Sequence, residues 1–100
     1  MRIIARSALV KFRKRIEYND AEEDLKAWYK IITCRNRSGP QDIIACFNKV
    51  DNVGNGRLVF NICWNKYRLI ASFNYETQKC YIRFIGTHTE YDRIKDIKNI

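Results

Sequence analysis

The stretch from Val59 to Asp92, VFNICWNKYRLIASFNYETQKCYIRFIGTHTEYD, constrains the fold more than any other part of the chain. Its runs alternate apolar with polar residues and are separated by short polar turns. Successive side chains of a strand point to opposite faces, so such runs build a sheet with one buried and one wet face. A register then assigns every side chain, because a slip of one residue swaps the faces. With Trp64-Asn65 at the first hairpin tip, Asn61 pairs with Arg68, Val59 with Ile70 and Arg57 with Ser72. With Glu76 to Lys79 as the second turn, Ser72 pairs with Arg83, Ile70 with Ile85 and Asn74 with Tyr81. One face then carries Leu58, Phe60, Ile62, Tyr67, Leu69, Ala71, Phe73, Ile82 and Phe84, a core. The other carries Arg57, Asn61, Lys66, Arg68, Ser72, Asn74, Tyr81 and Arg83, crossed by an apolar row of Val59, Ile70 and Ile85. A wet face does not leave such a row bare. Its expected cover is the C-terminal segment through Ile94 or Ile97, or a partner chain.

The remaining elements are helical. Arg2 to Ala5 suits a short strand, and Ser7 an N-cap for a basic helix to about Ile16. Asn19 or Asp20 is placed to cap a second helix, whose first turn (Glu22, Glu23, Asp24) is acidic as the helix dipole prefers. Leu25, Trp28, Tyr29 and Ile32 recur at helical spacing and face the core. Ser38 and Pro40 open a short helix to about Phe47, and Asn48 to Gly56 reads as irregular. The architecture expected is α+β, with N-terminal helices packed on one face of a small twisted antiparallel sheet and a short C-terminal helix. The 100 residues suffice for a single domain.

Charge and cysteines narrow the setting. A net charge of +8 and a pI near 9.5 point to a polyanionic partner or to plain solubility. Cys34, Cys46, Cys63 and Cys80 are scattered, with a single histidine to join them, so neither a zinc site nor any other cofactor is expected. The opening MRIIARSALVKFRKR has no secretory pattern, and no run approaches the ~20 apolar residues of a membrane span. The expectation is a cytoplasmic chain with reduced, mostly buried thiols.

The third run ends in Thr87-His88-Thr89-Glu90, a capping box that starts a helix. It sets His88 in the first turn and Tyr91 on the same side, at the end of the strand bearing Arg83. A basic face beside an imidazole suits RNA cleavage. A base removes the 2′-OH proton, cations stabilise the charge gathering on phosphate, and an acid protonates the leaving 5′ oxygen. His88 suits proton transfer, since imidazoles titrate near neutrality. Arg68 and Arg83 suit phosphate, Lys66 is a second phosphate contact or a candidate base, and Tyr91 an acid or an orienting hydroxyl. Tyr81, Trp64 or Tyr91 could stack on a base. The plainer alternatives are a solvated Lys66, arginines paired with Glu76, Glu90 or Asp92, and a Tyr81 that packs on Asn74. No helix carries the basic pattern of a DNA-recognition helix.

FNICWNKYRLIASFNY and CYIRFIGTHTEYDRI resemble the HigB toxins, a branch of the RelE-like toxins of bacterial toxin–antitoxin pairs. MRIIARSALVKF and AEEDLKAWYK are similar to the opening of those proteins. The resemblance implies a RelE-like fold and a metal-independent mRNA interferase, usually acting on mRNA engaged by the ribosome. It implies a HigA-type antitoxin as partner, with any DNA contact made through the complex. It also implies that Lys66, Arg68, Arg83, His88 and Tyr91 belong to the cutting surface. Arg57, Asn61, Trp64 and Tyr81 join them as candidate RNA contacts. The alternative is a non-catalytic RNA- or ribosome-binding module that blocks translation by occupancy. The family commonly has glycine before NKYR where this chain has Trp64, so a tight turn there would be strained.

Overall fold

The computed structural model describes residues 1–4, 20–47, 49–64 and 66–100. The helix expected from Ser7 to Ile16 lies outside them. The elements run β1 (Arg2–Ile4), α1 (Glu22–Thr33), α2 (Pro40–Ile44), β2 (Val50–Gly54), β3 (Arg57–Ile62), β4 (Tyr67–Asn74), β5 (Lys79–Thr87) and α3 (His88–Asp92), then a 3-10 turn at Ile97–Asn99. They form one five-stranded sheet in the order β1-β5-β4-β3-β2.

The sheet is mixed rather than antiparallel, because β1 lies parallel to β5 while the other pairs are antiparallel. It is also wider than the expected meander, since β2 arises where an irregular segment was expected. The polar Asp51-Asn52 pair hid that strand. Gly54, Asn55 and Gly56, all at positive φ, make the turn that folds it onto β3.

Leu25, Trp28 and Ile32 of α1 share one core with Leu58, Phe60, Ile62, Tyr67, Leu69 and Phe73 of the sheet. The Trp28 and Phe60 rings meet edge to face at 5.5 Å. Each large side chain sealed here contributes about 1.5–3 kcal/mol by leaving water. Asp20 does not cap helix α1, because Ala21 holds the N-cap position without a side-chain cap bond; Asn19, the other expected cap, lies outside the described residues. Asp20 is engaged elsewhere, with Lys66 and Tyr67.

The first hairpin has the expected register, with Asn61 opposite Arg68 and Arg57 opposite Ser72. The second does not. Its turn sits one residue earlier, so Asn74 pairs with Lys79 and Ser72 with Tyr81, and a bulge then inserts one extra residue. Ala71 faces Ile82 and Ile70 faces Phe84, which leaves Arg83 as the unpaired residue between them. Phe84 therefore shares the wet face with Ile70, and Ile85, opposite Leu69, packs against the core. The apolar row across the wet face is Val59, Ile70 and Phe84. Val59 and Ile70 are buried within this single chain, at 1% and 0% exposure, although they lie outside the main core. The C-terminal segment returns to that face: Asn55 Nδ2 donates to Lys98 O at 2.8 Å and Arg57 to Ile100 O at 2.9 Å.

The thiols are less buried than expected. Cys34 and Cys46 are exposed, Cys63 is half-buried, and only Cys80 is sealed. Among the described residues, no helix is long and apolar enough to cross a membrane.

Candidate active site

Arg68 lies at one end of the wet face, opposite Asn61 on β3 and Gly86 on β5. The missing side chain at position 86 is structural: a Cβ there would meet the Phe84 ring at 2.8 Å and Glu90 Oε1 at 2.9 Å. That space lets β5 turn sharply into α3. The turn is held by the expected capping box, in which Thr87 Oγ1 accepts from Glu90 N at 3.1 Å and Thr87 N donates to Glu90 Oε1 at 2.9 Å.

Helix α3 carries His88 and Tyr91 back over β4. The Arg68 guanidinium sits 5.7 Å from the Tyr91 ring centre, a cation–π contact. Burial pushes the Tyr91 hydroxyl above its ordinary pKa, Asp51 pushes the same way, and Arg68 opposes both. The phenol is therefore protonated at neutral pH, a donor in reserve. His88 N donates to Lys66 O at 3.0 Å, which fastens the start of α3 to the first hairpin. The imidazole is half exposed, with Nδ1 2.8 Å from Asp92 Oδ2. Arg68, Tyr91 and His88 are thus brought to one end of the sheet.

Arg83 and Tyr81 form a second group farther along. The bulge aims Arg83 at the wet face, where Nε donates to Ser72 Oγ at 3.0 Å and the guanidinium sits 5.2 Å from the Tyr81 ring centre. Tyr81 accordingly pairs with Ser72 and stacks with arginine, not with Asn74.

Lys66 departs from the expected placement. Its ammonium turns toward α1, where Asp20 Oδ2 accepts from Nζ at 2.6 Å and Asp20 Oδ1 accepts from the core-facing Tyr67 hydroxyl at 2.6 Å. The Asp20 hydrogen bond, with help from Tyr67, raises the Lys66 pKa. A lysine held charged is a cation for phosphate and a poor base. Arg57 departs further. Its two terminal nitrogens donate to Asn55 O at 2.8 Å and Ile100 O at 2.9 Å, and its Nε is buried. That guanidinium ties down the C-terminal segment.

Trp64 crowns the first hairpin at 92% exposure, with φ of 65° after Cys63 at 53°. Two successive left-handed residues make a tight reversal that favours glycine, and a bulky side chain there costs about 1–2 kcal/mol. The strain expected from the missing glycine is present. The tip is nonetheless anchored, since Cys63 N donates to Asp24 Oδ2 at 2.7 Å.

The partners of three acidic groups at this surface differ from, or were absent in, the sequence reading: Asp92 meets His88, Asp20 meets Lys66, and Asp51 lies near Tyr91. Asp92 was readable from its i+4 spacing to His88, a helical neighbour position. Asp20 and Asp51 reach the site only through the fold.

Residues 21–94 match the family described as HigB_toxin, the RelE-like toxic component of a toxin-antitoxin system. The chain is 42% identical over 55 residues to the mRNA interferase toxin HigB of Escherichia coli strain K12, covering 53% of each chain. The mRNA interferase HigB of Shigella flexneri matches with the same identity and coverage. A third relative, the mRNA interferase HigB of Escherichia coli O6:H1, is 28% identical over 72 residues, 70% of each chain. The chain thus spans about half the length of the first of these relatives. The family match takes in α1 through α3, and with them Arg68, Arg83, His88 and Tyr91; this chain belongs to the HigB family of RelE-like toxins.

Proposed function

We propose that this protein is the toxin of a toxin–antitoxin pair and an endoribonuclease that cuts mRNA, as the names of its relatives state for them. The observation that carries this reading is the cluster at one end of the wet face, where Arg68 lies against Tyr91 and the only histidine opens the same short helix.

In this reading the Arg68 guanidinium binds the scissile phosphate and neutralises the charge that builds on it. His88 takes the 2′-OH proton as O2′ bonds to phosphorus. The P–O5′ bond breaks, and the Tyr91 phenol gives its proton to the leaving 5′ oxygen. Solvent then reprotonates Tyr91 and receives the His88 proton. A 2′,3′-cyclic phosphate and a 5′-hydroxyl result. The mechanism needs no metal, because arginine and lysine supply the charge.

Ser72, which holds Arg83, is four residues from Arg68 on β4, roughly 13 Å of strand. Arg83 is therefore assigned to a flanking phosphate, with Tyr81 beside it for a base. Lys66 adds positive charge, while Asn61 and Trp64 contact the nucleotides on the other side. A HigA-type antitoxin would silence the toxin by covering this face, and translated mRNA on the ribosome is the expected substrate.

The test is to map mRNA 5′ ends after induction, and with purified protein on naked and translated mRNA, with and without EDTA. New ends that persist in EDTA, and that fall by about 10²–10⁴-fold in His88→Ala, are expected. Translation arrest without new ends would replace cleavage by occupancy. Activity that EDTA abolishes and a divalent ion restores, with the ribosome shown to survive the chelator, would overturn the metal-free step.

A further inference from the structure

His88 cannot act as a base in either tautomer equally. Only a nitrogen with a free lone pair takes a proton, and the partner of the other nitrogen decides which one that is. Here Asp92 Oδ2 lies 2.8 Å from Nδ1. A carboxylate accepts and does not donate, so this contact selects the tautomer with hydrogen on Nδ1. Nε2, on the far side of the ring, is left with its lone pair. Two backbone features keep the pair in place: the capping box sets the helical frame that puts residue 92 one turn beyond residue 88, and His88 N is tied to Lys66 O at 3.0 Å.

The geometry points to Asp92 as a positioning residue for His88. It holds the imidazole with Nε2 turned toward the nucleotide and balances the positive charge that the ring gains when it accepts the 2′-OH proton. This rests on the proposed role of His88 and deepens it. The two side chains are 49% and 56% exposed, so the pair adds little to the stability of the fold. Its consequence is orientation. A structural pair would hold the helix together, whereas this helix is already closed by the capping box.

Two measurements decide the matter. The chain has one histidine, so its imidazole nitrogen signals are unambiguous in 15N NMR of the full protein. The neutral ring is expected to carry hydrogen on Nδ1 in the parent and to shift toward the Nε2–H form in Asp92→Ala. In steady-state cleavage, Asp92→Ala is expected to lower kcat by about tenfold or more with KM within about twofold, and Asp92→Glu to recover part of kcat. An Nε2–H tautomer in the parent overturns the assignment, as does a kcat in Asp92→Ala within twofold of the parent. The NMR experiment needs no RNA, so it decides whether Asp92 sets the His88 tautomer independently of whether the chain cuts mRNA.

Discussion

Arg37 and Arg83 carry the same group and meet opposite fates. Arg37, between α1 and α2, is only 2% exposed. Its guanidinium donates to Asp42 Oδ1 at 3.2 Å, to Cys46 Sγ at 3.3 Å and to Ile31 O. Its backbone is clasped by Gln78, which donates to Arg37 O at 2.6 Å and accepts from Arg37 N at 2.7 Å. Arg83 stands exposed on a bulge, held by a serine hydroxyl and a tyrosine ring. Arg68 likewise lies against a ring, and one of its terminal nitrogens also donates to Tyr67 O at 3.3 Å. The contrast separates a guanidinium sealed inside the fold from guanidiniums that keep one side open to the surface. The Asp42 carboxylate offsets the charge of Arg37, whereas a ring face steadies a guanidinium without neutralising it. Arg57, with its two carbonyl partners, belongs with Arg37.

The sharpest way to break this division is Asp42→Ala, which takes the carboxylate from a buried guanidinium and leaves it only carbonyl and sulfur partners. Removing one partner of a buried charge is strongly destabilising. Chemical denaturation should register that loss, while kcat on mRNA stays at the parent value once the protein is folded. A fall in kcat at full occupancy of the folded state would tie the Arg37 region to the reaction.

Arg68→Lys probes the other side and should reverse the pattern. Lysine keeps the charge but loses the paired donors that match two phosphate oxygens. A charge-assisted hydrogen bond is worth about 1.5–3 kcal/mol, so cleavage should drop by roughly 10- to 150-fold with the denaturation midpoint unchanged. Equal activity would demote Arg68 to a general electrostatic contact.

How much of this was legible beforehand follows the same physics. The first hairpin, its register, the core face and the capping box were readable, because alternation and capping are local rules. Arg68, His88 and Tyr91 were found together for that reason. The bulge at Arg83 was not readable, since nothing in YIRFIG marks an extra residue, and the miss exchanged Phe84 with Ile85. The fates of Lys66 and Arg57 were also hidden. Their partners, Asp20 and Ile100, are far away in sequence and were brought near by α1 and by the returning C-terminal segment.

Trp64→Gly tests whether strain at the hairpin tip is held for binding. Glycine accepts the positive φ freely, so relief of the left-handed penalty should raise stability by about 1 kcal/mol. If the indole stacks on a base, RNA affinity should fall by a similar amount or somewhat more. The chain has two tryptophans, and Trp28 is 1% exposed, so fluorescence quenching by RNA reports Trp64 almost alone. Unquenched fluorescence at saturating RNA would leave the strain without this purpose.

The smallest effect is expected from Asp20→Asn, which asks whether Lys66 belongs to the fold or to the ligand. Hydrogen bonds from Lys66 and then Tyr67 hold the Asp20 carboxyl below its ordinary 3.8. Its stabilising contribution is thus complete above pH 3.8 and fades as pH falls through the lower folded value. The Lys66 ammonium is raised above 10.5, so its contribution is complete below that pH and fades as pH rises through the higher folded value. The contribution of this pair should therefore be flat near neutrality, and Asp20→Asn should remove part of the decline at both extremes. At neutral pH the same change releases a cation that Asp20 now occupies. RNA affinity should then rise slightly, and the salt dependence of binding should steepen by up to about one counterion. Unaltered RNA binding and salt dependence would place Lys66 with Arg37 and Arg57, among the cations this fold keeps for itself.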